Sequence, residues 1–386
     1  MRGGIKSSEY KVKGIYMAKQ EKNFAVAENP AAPIDILKAL STNKDYQVRY
    51  EVAINPATPE DVLTVLVKDK DENVRSAVAR NPSLTEKLAN LLIEDHTDRV
   101  ELALAENPKT PVKLIKKLLK DAYTDVQHEV GKNTGAPLDV LAKLAESDDS
   151  WVRNGVARNP NSPPNLLVKL AEDMESEGIR TDVAENPSSP KEALEILAKD
   201  EEEYVQEMAA AHPNMPVKYL EKYAEQKGKE PNLKIRAALN PSLPKDIIIA
   251  LSKDKNASVR ESIASNLSAP MEILLELSKD KDSSVRKGVA QNSAASSEIN
   301  SMLAKDKDDF VRFELAQKKT LELTILEMLS SDKFDQVRRQ VARNSRASAE
   351  LLTKLSKDAD EYVKKNVAKN PSTPEDILRE LSGIKK

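Results

Sequence analysis

The chain has 386 residues, 32% of them charged, a formal net charge of −3, 4% aromatic residues and no cysteine. No apolar run approaches the roughly 20 residues that span a bilayer, and the missing thiols exclude disulfides, iron–sulfur ligation and thiol catalysis together. His96, His128 and His212 fall in three different stretches of sequence, so no metal and no cofactor is expected.

The first stretch, residues 1–21, is basic and lacks the continuous apolar core and small-residue cleavage site of a secretory signal. It reads as a flexible segment, and the expected location is cytoplasmic. From residue 22 the chain becomes periodic. Taking the Asn of each Asn-Pro dipeptide as origin, the slot recurs at Asn29, Asn55, Asn81, Asn107, Asn133, Asn159, Asn186, His212, Asn240, Asn266, Asn292, Lys318, Asn344 and Asn370, spaced by 26 residues except for one step of 27 and one of 28. Fourteen such units fill residues 22–383 as a single repeat solenoid, followed by a tail at 384–386.

Within a unit such as VRSAVARNPSLTEKLANLLIED (74–95), the Val seven residues before the origin and the Val-Ala pair just before it make one apolar stripe at helical spacing. That spacing predicts a first helix of about seven residues, short enough to be 3₁₀, ended by Asn-Pro. A second proline four residues after the origin fits the first position of a new helix. Thr58 with Asp61, Ser189 with Glu192 and Thr373 with Asp376 read as capping boxes. The second helix, about ten residues, carries apolar residues seven, eight and eleven after the origin and ends in Lys-Asp turns. The fold class is all-α.

VRSAVARNPSLTEKLANLLIED, VRNGVARNPNSPPNLLVKLAED and VRESIASNLSAPMEILLELSKD resemble leucine-rich repeat variant units. The resemblance covers about nine tenths of the chain and implies a HEAT-like right-handed superhelix, each unit pairing one α-helix with one 3₁₀ helix. Some members of that family carry an iron–sulfur cysteine cluster before the repeats; with no cysteine, that feature is not carried over.

Two columns read as architecture. Arg49, Arg75, Arg153, Arg260, Arg286 and Arg312 share one slot with acids a few residues upstream, such as Asp69 and Asp71 before Arg75, and predict an Asp–Arg ladder between units. Asn55, Asn81, Asn107 and Asn159 predict buried side chains that satisfy backbone groups from one unit to the next.

The surface charge is uneven. Residues 139–207 hold seven Lys or Arg against seventeen Asp or Glu. Asp148, Asp149, Trp151, Glu175, Glu177, Asp182, Glu201, Glu202, Glu203 and Tyr204 are candidates there for an acidic partner surface, bracketed by the two inserted loops at 171–180 and 225–234. Lys333, Arg338, Arg339, Arg343 and Arg346 form a candidate anion or nucleic-acid patch.

No phosphate loop, nucleophile elbow or HExxH motif occurs, so an enzyme is the poorest reading. The leading expectation is a non-catalytic scaffold, monomeric, holding a protein or peptide on an extended concave surface. A nucleic-acid-binding solenoid using the basic patch is the alternative, and a structural spacer a further one.

Overall fold

The computed structural model describes residues 23–382 except 121 and 228–230, and the candidate segments at 1–21 and 384–386 lie outside them. All regular structure among the described residues is helical. The helices group into two compact bodies, one made of the described residues up to Pro111 with those from Leu321 onward, the other of those from Val112 to Thr320. Each is an α-solenoid in which successive units stack.

The first helix of each unit is a true α-helix, usually of nine residues, and not the short 3₁₀ turn expected. The Asn81 unit shows why. Asp71 sits one residue ahead of the helix Glu72–Arg80, and its carboxylate accepts from the backbone N–H of Asn73 at 2.9 Å. That cap satisfies an amide the helix leaves open and lets it start two residues earlier than the apolar stripe alone indicates. Val74, Ala77, Val78 and Ala79 are buried, and the helix stops where Asn81 turns extended, φ −59° and ψ 131°, as the residue before a proline must.

The second helix is the shorter one. Glu86–Leu92 and Glu60–Leu66 have seven residues each and bury three apolar side chains apiece. The proline after the corner occupies the capping position, one residue before the helix, as at Pro59 and Pro190. The expected capping boxes do not form. With proline as the cap, the hydroxyls of Thr58, Ser189 and Thr373 instead donate backwards to the carbonyls of Val52, Val183 and Val367, tying the corner to the helix before it. At three of the four slots without proline, Thr85, Ser296 and Ser348 cap the second helix through their hydroxyl oxygens, while Glu322 makes no such bond.

First helices of neighbouring units lie close together. A Cβ built on Gly155 would stand 2.3 Å from the carbonyl oxygen of His128 on the preceding first helix. Only a residue without a side chain allows this approach. Gly155→Ala is expected to push the two helices apart and cost about 2–3 kcal/mol by overpacking; a urea midpoint by circular dichroism within error of wild type would count against the close packing.

The first-named body contains both ends of the repeat array, and they stack on one another. Asn29, wholly buried, donates to the carbonyls of Ala368 at 2.8 Å and Asn370 at 3.1 Å. Asn55 makes the same two bonds to Ala27 and Asn29. Lys369 pairs with Glu28, and Arg379 reaches Asp35 at 3.4 Å. In this body the unit after Asn370 is therefore the unit of Asn29.

Glu51 lies beside this joint. Burial first, then the Glu28 carboxylate, push it up to about 7 despite the opposing Lys369. A value above that of the unfolded chain means the group favours folding while protonated and loses that contribution as the pH rises through about 7. Glu51→Gln is expected to stabilise the protein at pH 8 by about 1 kcal/mol, discounted for partial exposure, with the gain vanishing at pH 5. Urea midpoints at the two pH values check it.

Candidate partner-binding edge

The arginine and asparagine columns hold units together. Each column asparagine spans two units: Asn81 donates to Ala53 and Asn55 at 2.7 and 3.0 Å while its carbonyl accepts from Ser83 N–H at 2.7 Å. Asn107 and Asn159 repeat this. His212 fits the same slot, its Nε2 meeting the Asn186 carbonyl at 2.9 Å and its Nδ1 accepting from Asn214 N–H at 3.0 Å. Lys318 fits it as well, Nζ donating to Asn292 at 2.7 Å.

The arginine ladder exists with a different pairing from the one the sequence suggested. Arg49, Arg75, Arg153, Arg180, Arg260, Arg286 and Arg338 each take as ionic partner an aspartate twenty residues downstream. Arg49 grips Asp69 through two bonds of 2.7 and 2.9 Å, and Arg260 with Asp280 and Arg286 with Asp306 do likewise. From the upstream acid, Arg75 takes only the backbone: it donates to the Asp69 carbonyl at 2.8 Å and pairs with Asp95. Arg153 pairs with Asp173 at 2.7 Å and also with Glu175 at 2.8 Å, and Arg312 donates to the Asp306 carbonyl and to Asp309. The side chain of one turn thus joins the guanidinium before it, and its carbonyl the guanidinium after it. The hydrogen bond from Arg260 holds Asp280 below the usual aspartate range, and the bond from Arg338 does the same for Asp358.

The basic patch is partly consumed by this ladder. Arg338 pairs with Asp358 at 2.8 Å, and Arg339 with Asp360 at 2.8 Å and Asp335 at 2.6 Å. Arg343 and Arg346 are exposed with no carboxylate partner among the described residues, and Lys333 is exposed.

The acidic candidates lie mostly along one edge, where turns enter the first helices. Asp149 caps Ser150–Arg158 and accepts from Trp151 N–H at 2.8 Å. Glu175 is drawn to Arg153, and Asp182, midway along its helix and away from the edge, accepts from Asn154. Asp148, Glu177, Glu201, Glu202 and Glu203 are exposed, and their carboxylates form no hydrogen bond or ion pair among the described residues.

One repeat position, which sequence reading glimpsed at Trp151 and Tyr204, carries an exposed aromatic ring at three units of the second-named body and at one unit of the first. Trp151, Tyr204, Phe310 and Tyr362 all sit eight residues before the origin, at the second position of a first helix, each just after one to three carboxylates or a capping aspartate pair. They are 45, 50, 56 and 58% exposed. Phe310 and Tyr362 were not among the candidates, although the repeat phase alone places them in line. Trp151 stacks on His128 with ring centroids 3.7 Å apart and donates Nε1–H to Asp125 at 3.0 Å. Large aromatic rings left open beside carboxylates suit cations, which interact with a ring face and an acid together.

Stacked two-helix units of this kind define a helical-repeat α-solenoid. Solved structures similar to this chain include a leucine-rich repeat variant with a novel repetitive structural motif, at 24% identity over 58% of this chain and 87% of that one, TM-score 0.32. Kap121p bound to Nup53p is similar at 12% identity, covering 94% of this chain and 51% of that one, TM-score 0.24, and Kap121p bound to Ste12p at 13% identity, 95% and 47%, TM-score 0.21. No family model matches the sequence, and no curated protein matches it. Among the described residues no helix is long and apolar enough to cross a membrane.

Proposed function

We propose that the protein is a binding scaffold without a catalytic step, and that it holds a protein segment rich in basic residues along the edge between residues 148 and 204. The observation that carries this reading is the exposed row of Glu201, Glu202 and Glu203 with Tyr204, which forms no ion pair among the described residues. A net negative edge steers a cationic chain toward it, and open rings supply contact area with little entropy to lose. The partial neutralisation of the basic patch by Asp335, Asp358 and Asp360 favours this over a nucleic-acid contact at 333–346.

The test is fluorescence anisotropy with labelled lysine- and arginine-rich peptides, a glutamate-rich control and a single-stranded oligonucleotide. Basic peptides are expected to bind saturably and more weakly as salt rises. The triple variant Glu201→Lys, Glu202→Lys, Glu203→Lys should abolish binding, while Arg343→Glu with Arg346→Glu leaves it intact. Binding of the oligonucleotide that is lost in the second variant would replace this reading.

A further inference from the structure

Two of the exposed rings, Trp151 and Tyr362, face one slot on the first helix of the preceding unit, five residues before that unit's origin. For Tyr362 the slot holds Arg339, whose guanidinium lies over the ring, 4.6 Å from its centroid. The same guanidinium bonds the capping Asp360 through Nε at 3.0 Å and Nη2 at 2.8 Å, and reaches Asp335 at 2.6 Å. One ring and two carboxylates thus receive one arginine.

The unit of Tyr204 repeats the receiving groups and lacks the arginine. Glu202 holds the capping position of the helix Glu203–Ala211, φ −91° and ψ 118°, with its carboxylate unbonded, as Asp360 holds that of Glu361–Lys369, φ −84° and ψ 123°, where the carboxylate also accepts from Val363 N–H. Tyr204 and Tyr362 are the second residues of those two helices. Glu177 opens the preceding first helix, Glu177–Glu185, as Asp335 opens Asp335–Arg343. The slot of Arg339, the fifth residue of its helix, is filled here by Thr181, which is too short and uncharged to reach the ring. At Trp151 the corresponding residue is His128, which stacks on the indole, and at Phe310 it is Lys287. The nearby cation Arg180 is turned inward onto Asp200 at 2.7 Å; it acts on Glu177 only through space and forms no ion pair with Glu177 or Glu202 among the described residues.

We propose that Glu177, Glu202 and Tyr204 form a receptor for the guanidinium of an arginine supplied by the bound partner, which takes the place that Arg339 takes in its own unit. The proposal rests on the scaffold reading above and adds to it a residue and a preference. A planar guanidinium can stack on the ring and present separate N–H groups to two carboxylates, whereas an ammonium offers a compact charge, so arginine is selected over lysine.

The same repeat register supplies the test. Thr181→Arg places the protein's own guanidinium where Arg339 stands and should occupy the receptor. Labelled hexa-arginine and hexa-lysine peptides are titrated by anisotropy into wild type, Thr181→Arg and Tyr204→Ala, each first shown by circular dichroism to be folded. Wild type is expected to prefer hexa-arginine by about tenfold, and both variants to reduce that preference to near unity. Basic peptides that bind wild type and Thr181→Arg alike, with no arginine preference, overturn the receptor and leave the scaffold reading standing. Wild type that binds neither peptide overturns both.

Discussion

Replacing Asn81 with alanine is expected to destabilise the body it belongs to by about 3–4 kcal/mol, the largest single effect available at a polar position. Three bonds go at once: two donated to the preceding unit and one accepted from Ser83. The freed carbonyls of Ala53 and Asn55 stay buried in a closely packed layer where the alanine offers no donor, so the loss includes their desolvation. The effect spreads along the stack because each unit is stable only through its neighbours. Urea denaturation followed by circular dichroism measures it, and a loss below about 1 kcal/mol would show that water or backbone relaxation replaces the asparagine.

His212 shows what part of the asparagine is needed. The neutral ring supplies one donor, to Asn186, and one acceptor, to Asn214 N–H, where asparagine supplies two donors and one acceptor. His212→Asn is therefore expected to add about 1 kcal/mol by restoring the second donor. Burial pushes the His212 ring below the usual histidine value. A depressed value means stability is present above the ordinary histidine range and lost as the pH falls through the folded value, because a protonated Nδ1 would face the N–H it now accepts from. The variant should remove that acid-side loss, visible as a smaller drop in melting temperature between pH 7 and pH 5.

Much of the fold was legible because stacking forces repetition into the sequence. The period, the corner at Asn-Pro, the buried Val-Ala stripe and the two polar columns follow from residue spacing alone. Helix lengths did not, because the capping aspartates lie outside the apolar stripe and look like part of the charged turns. The threonine and serine before the second proline matched a local capping pattern, yet the choice between a forward cap and a backward bond to Val52 depends on a corner geometry that local sequence does not encode. Ladder partners were misread for a similar reason. An acid six residues upstream of Arg75 is near in sequence, but the helix start points its carbonyl at the guanidinium and its carboxylate at the unit before. The end-to-end contact of Asn29 with Ala368 was invisible, since a repeat pattern carries no information on where its two ends meet. At the candidate edge, Trp151 and Tyr204 were found by charge context, while Phe310 and Tyr362 required the repeat register to be applied to exposed positions as well as buried ones.

Breaking the ladder at Arg180 should cost nearly as much as breaking the asparagine column. Arg180 and Asp200 are 3 and 5% exposed at their side chains and joined by bonds of 2.7 and 3.0 Å. Asp200→Ala leaves the guanidinium buried without its counter-charge, and a loss of about 3 kcal/mol is expected. The pair itself is another matter, since desolvation of two ions offsets much of their attraction. The protein carries its own control. In the next unit Gln206 replaces the arginine and Gln226 the aspartate, and in the Asn133 unit Gln127 and Ser147 do the same, so the charges disappear together. Gln206 keeps the backbone bond, donating to the Asp200 carbonyl at 2.7 Å, which is the role Arg75 plays toward Asp69. The double variant Arg180→Gln with Asp200→Gln should therefore recover at least half of the loss caused by Asp200→Ala, and a double-mutant cycle reads the coupling directly. Recovery would mean that the column is required to be matched rather than charged, and that its aspartates were retained for register between units; a double variant as unstable as the single one would mean that the ion pair itself carries the stacking energy.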